Sequence, residues 1–221
     1  MIRALIFDFD GTILETESPI YQSWLAVYQS FGLDLSIETW CETIGTWDSL
    51  FNPVTDLERK VGRRLDWDLL EPRRAAHEAR LLRAQPIQPG IEDYLHTAQR
   101  LGLKIGLASS SDRAWVCPHL ERLGLAQFFE CIRTRDDVQR TKPDPELFLA
   151  AAAGLGVQPA EAIALEDSLH GVESARKAGL FAVAIPIALT QHLSFPSANL
   201  RLNSLADLPL EKLLEIANRA W

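Results

Sequence analysis

Apolar residues in this chain fall into short dense runs set apart by longer stretches with helical spacing. Ala4–Phe7, Lys104–Ala108, Ala162–Leu165 and Phe181–Ile185 read as strands, because a continuous apolar run is what a strand covered on both faces needs. Between them, Ile91, Leu95, Ala98 and Leu101 recur at helical spacing before Gly102. Val172, Ala175 and Ala178 do the same before Gly179, a glycine stop for a helix. Strands alternating with helices predict a parallel sheet with helices on both faces.

One stretch breaks the rhythm. Connections in α/β units usually take ~2–6 residues, yet roughly seventy residues separate the first strand from "PGIEDYL", where the pattern resumes. Ile20, Trp24, Val27, Tyr28 and Phe31 share one helical face. The segment "LERKVGRRLDWDLLEPRRAAHEARLLRAQ" reads as two further helices parted near Asp66. Trp24, Trp40, Trp47 and Trp67 give this region material for a small core of its own. The expectation is an α/β fold: a Rossmann-like parallel-sheet core, residues 1–15 and 88–221, carrying an inserted α-helical cap domain, residues 16–87. Pro86 and Pro89 mark the return hinge.

Three of the strand runs end in polar clusters: Asp8-Phe9-Asp10, Ser109-Ser110-Ser111 and Glu166-Asp167-Ser168. In an open parallel sheet the carboxyl ends of the strands share one edge, where ligands bind. Isolated carboxylates are costly to bury, so a cation is expected beside them. Acids gathered without cysteine or histidine suit a hard, oxygen-preferring ion, and Mg²⁺ is the usual one beside phosphates. Serine hydroxyls and backbone N–H groups suit phosphate oxygens. Lys142, between the prolines of "RTKPDPELF", offsets repulsion between a carboxylate nucleophile and an anionic phosphate.

Composition narrows the function classes. Within 221 residues, 47% hydrophobic, there is room for one large α/β domain or a core with a smaller companion. A formal net charge of −8 argues against non-specific nucleic-acid binding and offers no polybasic membrane patch. Cys41, Cys117 and Cys131 are scattered and form neither a disulfide framework nor a zinc site. With no secretory signal and no apolar stretch of spanning length visible, a cytoplasmic location is expected.

The segments "DFDGTILETE", "LASSS", "TKPDPELF" and "ALEDSLHG", in that order, resemble the four motifs of the haloacid dehalogenase superfamily. The helical insert looks like the cap subclass nearest to β-phosphoglucomutase and related small-molecule phosphatases. The resemblance implies that Asp8 is a nucleophile forming an aspartyl-phosphate, and that Asp10 protonates the leaving oxygen and then activates water. It places Ser109, the Ser110 amide and Lys142 on the transferring phosphoryl group. It assigns Mg²⁺ to Asp8, Asp167 and the backbone carbonyl of Asp10, with Glu166 as a further or water-mediated ligand. Gly11 lets the chain turn without a side chain beside the phosphate.

Other residues read more plainly. His170 is expected on a helix surface, Asp136 and Asp137 as solvated loop acids, and "RRAAHEAR" as a solvated helix face, with Arg73, Arg74 and His77 as its minor candidates to reach substrate. Trp47 is a candidate to face the site. The resemblance to the mutase also includes Glu15-Thr16, but the positions of its cap histidine and cap arginine hold Ile20 and Asp48. A mutase must grip a bisphosphate, so this loss favours transfer to water. Dehalogenase chemistry is disfavoured by Asp10. A receiver-like phospho-acceptor domain is disfavoured by Ser109 at a strand end that should carry aspartate, and by the insert. The expectation is a Mg²⁺-dependent phosphatase acting on a small phosphorylated metabolite, monomeric, without nucleic-acid or membrane partners.

Overall fold

The structure, a computed structural model, describes residues 1–45 and 51–220; Trp47 and Asp48 lie outside them. Six parallel strands form one sheet: β1 (Ala4–Phe7), β2 (Lys104–Ala108), β3 (Cys131–Arg133), β4 (Ala162–Glu166), β5 (Phe181–Ala184) and β6 (Leu200–Arg201), in the order β3-β2-β1-β4-β5-β6. The four runs expected as strands are all present. The two short outer strands, β3 and β6, were not among them.

Successive side chains of a strand point to opposite faces, and β1 divides its residues accordingly. Leu5 and Phe7 join Ile105, Leu107, Ile163 and Leu165 under α5 (Ile91–Arg100), α6 (Arg113–Arg122) and α9 (Leu210–Ala220). Ala4 and Ile6 join Ala162 and Ala164 under α7 (Glu146–Leu155) and α8 (Leu169–Ala178). Small residues dominate this second face, which lets α7 and α8 sit close to the strands.

Between β1 and α5 the described elements are helical: α1 (Glu17–Ser30), α2 (Ile37–Cys41), α3 (Pro53–Val61) and α4 (Trp67–Arg83). Asp66 caps α4 by accepting from Leu69 N at 3.3 Å, which explains the break read there. Asn52 caps α3, and Gly62 ends it in the left-handed conformation at φ 77°. Trp24, Tyr28, Trp40 and Leu57 form the core of this region, but Ile187 and Leu189 from beyond β5 complete it. The insert therefore does not bury its apolar face alone; part of that face is covered by the chain that leaves the sheet.

Candidate active site

The strand order puts β1 between β2 and β4, so the polar ends of these three strands meet at one edge. Asp8 follows β1, Glu166 ends β4 and Asp167 follows it; oxygens of all three carboxylates lie within 4.8 Å of one another. All three side chains are buried. Lys142, fully buried, places its ammonium between Asp8 Oδ1 and Glu166 Oε1, the latter at 2.5 Å. Glu166 Oε2 accepts from Ser168 N and Oγ at 3.0 and 2.9 Å. Both oxygens of Glu166 are thus engaged by the protein, so its geometry suits an anchor for Lys142 better than a direct metal ligand.

Asp8 Oδ2 and Asp167 Oδ2 are different: each is buried with no hydrogen-bond partner among the described residues. Unpartnered buried carboxylate oxygens are strongly unfavourable unless something cationic meets them. Burial pushes the carboxyls of Asp8 and Asp167 well above the ordinary range, Lys142 opposing at Asp8 and the Glu166 carboxylate adding at both. Burial alone would lower the Lys142 ammonium, but Asp8 and Glu166 outweigh it and raise it. One ammonium does not balance this cluster, and an all-oxygen set of this kind fits Mg²⁺. The turn leaves no spare room: a Cβ at Gly11, where φ is 86°, would lie 2.1 Å from Asp167 Oδ2.

The Asp10 carboxylate stands apart from this group. Oδ1 accepts from Thr16 Oγ1 and from the indole Nε1 of Trp115, both at 2.8 Å, and Oδ2 accepts from Ser111 Oγ at 2.6 Å. Ser109 Oγ lies 3.5 Å from Asp10 Oδ2 and accepts from Ser111 N at 3.0 Å. The Ser110 hydroxyl turns to the helical insert, donating to Gly45 O at 3.0 Å. Asp112, not a serine, caps α6. Asp8, Lys142, Glu166 and Asp167 are therefore brought together, Ser109 sits with Asp10 beside them, and Ser110 contributes its hydroxyl elsewhere.

Other positions depart in part from the sequence reading. His170 Nδ1 lies 3.0 Å from Ile44 O, so this histidine reaches the insert. Asp137 is exposed, as expected of a loop acid, and also accepts from Thr134 N and pairs with Arg113 at 2.8 Å. Arg73 is exposed, whereas Arg74 turns inward.

Between the strand edge and the insert lies a cavity of about 710 Å³, with Asp8, Asp10, Ser110 and Trp115 on one side and Glu17, Trp24 and Arg74 on the other. Thr16, Glu17 and Trp115 were not singled out as functional from the sequence. Trp115 carried one usable signal: it lies within the first turn of the helix that follows the serine cluster.

Comparison with known proteins agrees with this geometry. The family model for haloacid dehalogenase-like hydrolases matches residues 5–185. YhcW of Bacillus subtilis is 44% identical over 218 residues, covering 99% of each chain. Hexitol phosphatase B of Escherichia coli K12 is 29% identical over 226 residues, 96% of this chain and 97% of that one. The crystal structure of β-phosphoglucomutase from Clostridium difficile superposes with a TM-score of 0.75 at 27% identity, covering 100% of this chain and 99% of that chain.

Proposed function

The chain belongs to the haloacid dehalogenase-like hydrolase family, and from that premise we propose that it is a Mg²⁺-dependent phosphatase. Its substrate is a small organic phosphate monoester, and the phosphoryl group passes through Asp8. In this reading residues 16–87 act as a cap over a core made of residues 1–15 and 88–221. The observation that carries it is the pair of unpartnered buried oxygens on Asp8 and Asp167 beside Lys142.

Asp8 and Asp167, with the backbone carbonyl of Asp10, would hold the ion. When bound, Mg²⁺ supplies positive charge against the phosphoryl oxygens and lets a carboxylate approach them. Lys142 adds to that charge and fixes Asp8, while Glu166 fixes Lys142. In the first step an Asp8 oxygen bonds to phosphorus, the bond from phosphorus to the ester oxygen breaks, and Asp10 gives its proton to the departing alcohol. In the second step Asp10 takes a proton from water. The water oxygen bonds to phosphorus, the bond to Asp8 breaks, and phosphate leaves. Ser109 and the Ser110 amide orient the phosphoryl group, and the insert keeps bulk water out.

A sugar phosphomutase is the runner-up, favoured by the likeness to β-phosphoglucomutase structures. Against it, Ile20 presents an apolar side chain to the cavity, where the resemblance places a histidine. Phosphate release with and without Mg²⁺, in the wild type and in Asp8→Asn, tests the reading. Release that requires Mg²⁺ and vanishes in the variant is the expected result. Conversion of β-glucose 1-phosphate into its 6-phosphate without release would make the chain a mutase.

A further inference from the structure

The cavity wall opposite the nucleophile carries an unusual balance of charge. The described ionisable residues lining the whole cavity are Asp8, Asp10, Asp112, Glu17, Glu78 and Arg74. Arg74 is not free to meet an anion. Its guanidinium pairs with Glu71 at 2.6 Å and with Glu78, donates to Ser23 Oγ at 3.0 Å, and stacks 4.8 Å from the Trp24 ring. Lys142 is wholly buried and spent on Asp8 and Glu166. No cation on this wall, among the described residues, is left to receive a second negative group.

Glu17 goes further in the same direction. It opens α1 inside the cavity. It is half-buried there, and no guanidinium or ammonium pairs with it among the described residues. Its carboxylate therefore faces the same cavity as those of Asp8 and Asp10. A leaving group bearing a carboxylate or a second phosphate would meet like charge there, with no cation to offset it. The apolar surfaces of Trp24, Trp40 and Ile20 beside Glu17 offer stacking and contact to a ring or carbon chain, and the Glu17 oxygens can accept from hydroxyl or ammonium groups.

We propose that this wall makes the enzyme selective for phosphate monoesters whose alcohol part carries no negative charge, whether a neutral polyol or a cationic amino alcohol, and that it rejects bisphosphates and phosphorylated acids. This rests on the phosphatase reading and specifies its substrate class. It also supplies a physical reason why bisphosphate chemistry does not suit this cavity. Glu17 is the specificity-determining residue, because it is the wall carboxylate without a cationic partner among the described residues.

The experiment separates the two readings. Hydrolysis of para-nitrophenyl phosphate with Mg²⁺ reports whether the chain is a phosphatase; its absence would end that reading and this one together. Matched pairs then report charge selection: glycerol 3-phosphate against 3-phosphoglycerate, fructose 6-phosphate against fructose 1,6-bisphosphate, and glucose 6-phosphate against 6-phosphogluconate. The anionic member should have kcat/KM lower by about tenfold. Glu17→Gln should narrow each ratio, mainly through the KM of the anionic member. Ile20→Lys, which places a new cation in the same wall, should narrow it independently. Anionic members hydrolysed as well as neutral ones by the wild type would overturn the proposal. So would ratios that stay fixed in both variants.

Discussion

Trp115 donates its indole Nε1–H to Asp10 Oδ1 across 2.8 Å, joining residues 105 positions apart in the sequence. The contact ties the first turn of α6 to the loop after β1, and with Thr16 and Ser111 it fixes where the Asp10 carboxylate points. A hydrogen bond to a charged group contributes ~1.5–3 kcal/mol. If Asp10 moves the proton, holding it in place should show in the rate.

Trp115→Phe keeps the aromatic body and removes the donor. The expected result is a kcat lower by about tenfold to a hundredfold, with a smaller change in KM. In an Asp10→Asn background the same substitution should cost much less, because the group it positions is already disabled. Equal losses in both backgrounds would show that Trp115 acts through packing alone.

Lys142 links Asp8 to Glu166 with no solvent contact. Lys142→Met fills the space but leaves three clustered carboxylates without their counter-charge. Breaking a buried ion pair by removing one partner destabilises by roughly 3–5 kcal/mol, so the urea midpoint should fall sharply in metal-free buffer. Added Mg²⁺ should recover part of the loss, since it meets the same carboxylates. A midpoint within error of the wild type would mean that Lys142 does not supply the counter-charge of this cluster.

The architecture was largely legible because the strands that matter have apolar interiors, with charge only at their ends, at Lys104 and Glu166. Ala4–Phe7, Lys104–Ala108 and Ala162–Glu166 could only be buried, and their acidic or serine ends had to share an edge. β3 and β6 escaped because they are short outer strands with half-exposed, mixed residues such as Ile132, Arg133, Leu200 and Arg201. The cavity wall was not legible either. Whether Arg74 or Arg73 faces inward depends on how α4 lies against α1, and that packing is decided by contacts distant in sequence, such as Arg74 on Trp24. The same holds for His170, which looks like a surface residue until Ile44 is brought to it.

Stability should depend on pH in a direction set by Asp8 and Asp167. Burial, with neighbouring charges, raises both in the folded chain. Between their unfolded values near ~4 and the raised folded values, the folded state binds more protons than the unfolded one, so stability falls as pH climbs through that window. Lys142, also raised, keeps its contribution throughout this range and loses it only in strong alkali. Asp56 and Asp137, held below their ordinary values, act in the opposite sense, but only as the pH drops towards and below ~4. The melting temperature in EDTA should therefore decline as pH rises above ~4, and Mg²⁺ should stabilise most at the upper end of that range. Asp8→Asn should flatten the EDTA profile. A metal-free melting temperature that rises across this range would contradict the assignment.

Gly45 seats the insert on the core, and a matched pair of substitutions can isolate that contact. Its carbonyl accepts from Ser110 Oγ, and a Cβ there would lie 2.2 Å from Ser168 Oγ. Gly32, at the end of α1, has a similar positive φ, 69° against 81°, but a Cβ there meets nothing within 4 Å. Gly45→Ala and Gly32→Ala should thus share the backbone penalty of about 1–2 kcal/mol for a left-handed residue. Only Gly45→Ala should also push the insert away from Ser110 and Ser168. Its KM should rise about tenfold, the factor given by ~1.4 kcal/mol, with a fall in kcat because water enters and Asp10 loses its enclosure. Gly32→Ala should melt earlier yet keep both kinetic constants. If the two variants lose stability alike and neither changes KM, then the contact at Gly45 does not govern how the insert closes over substrate.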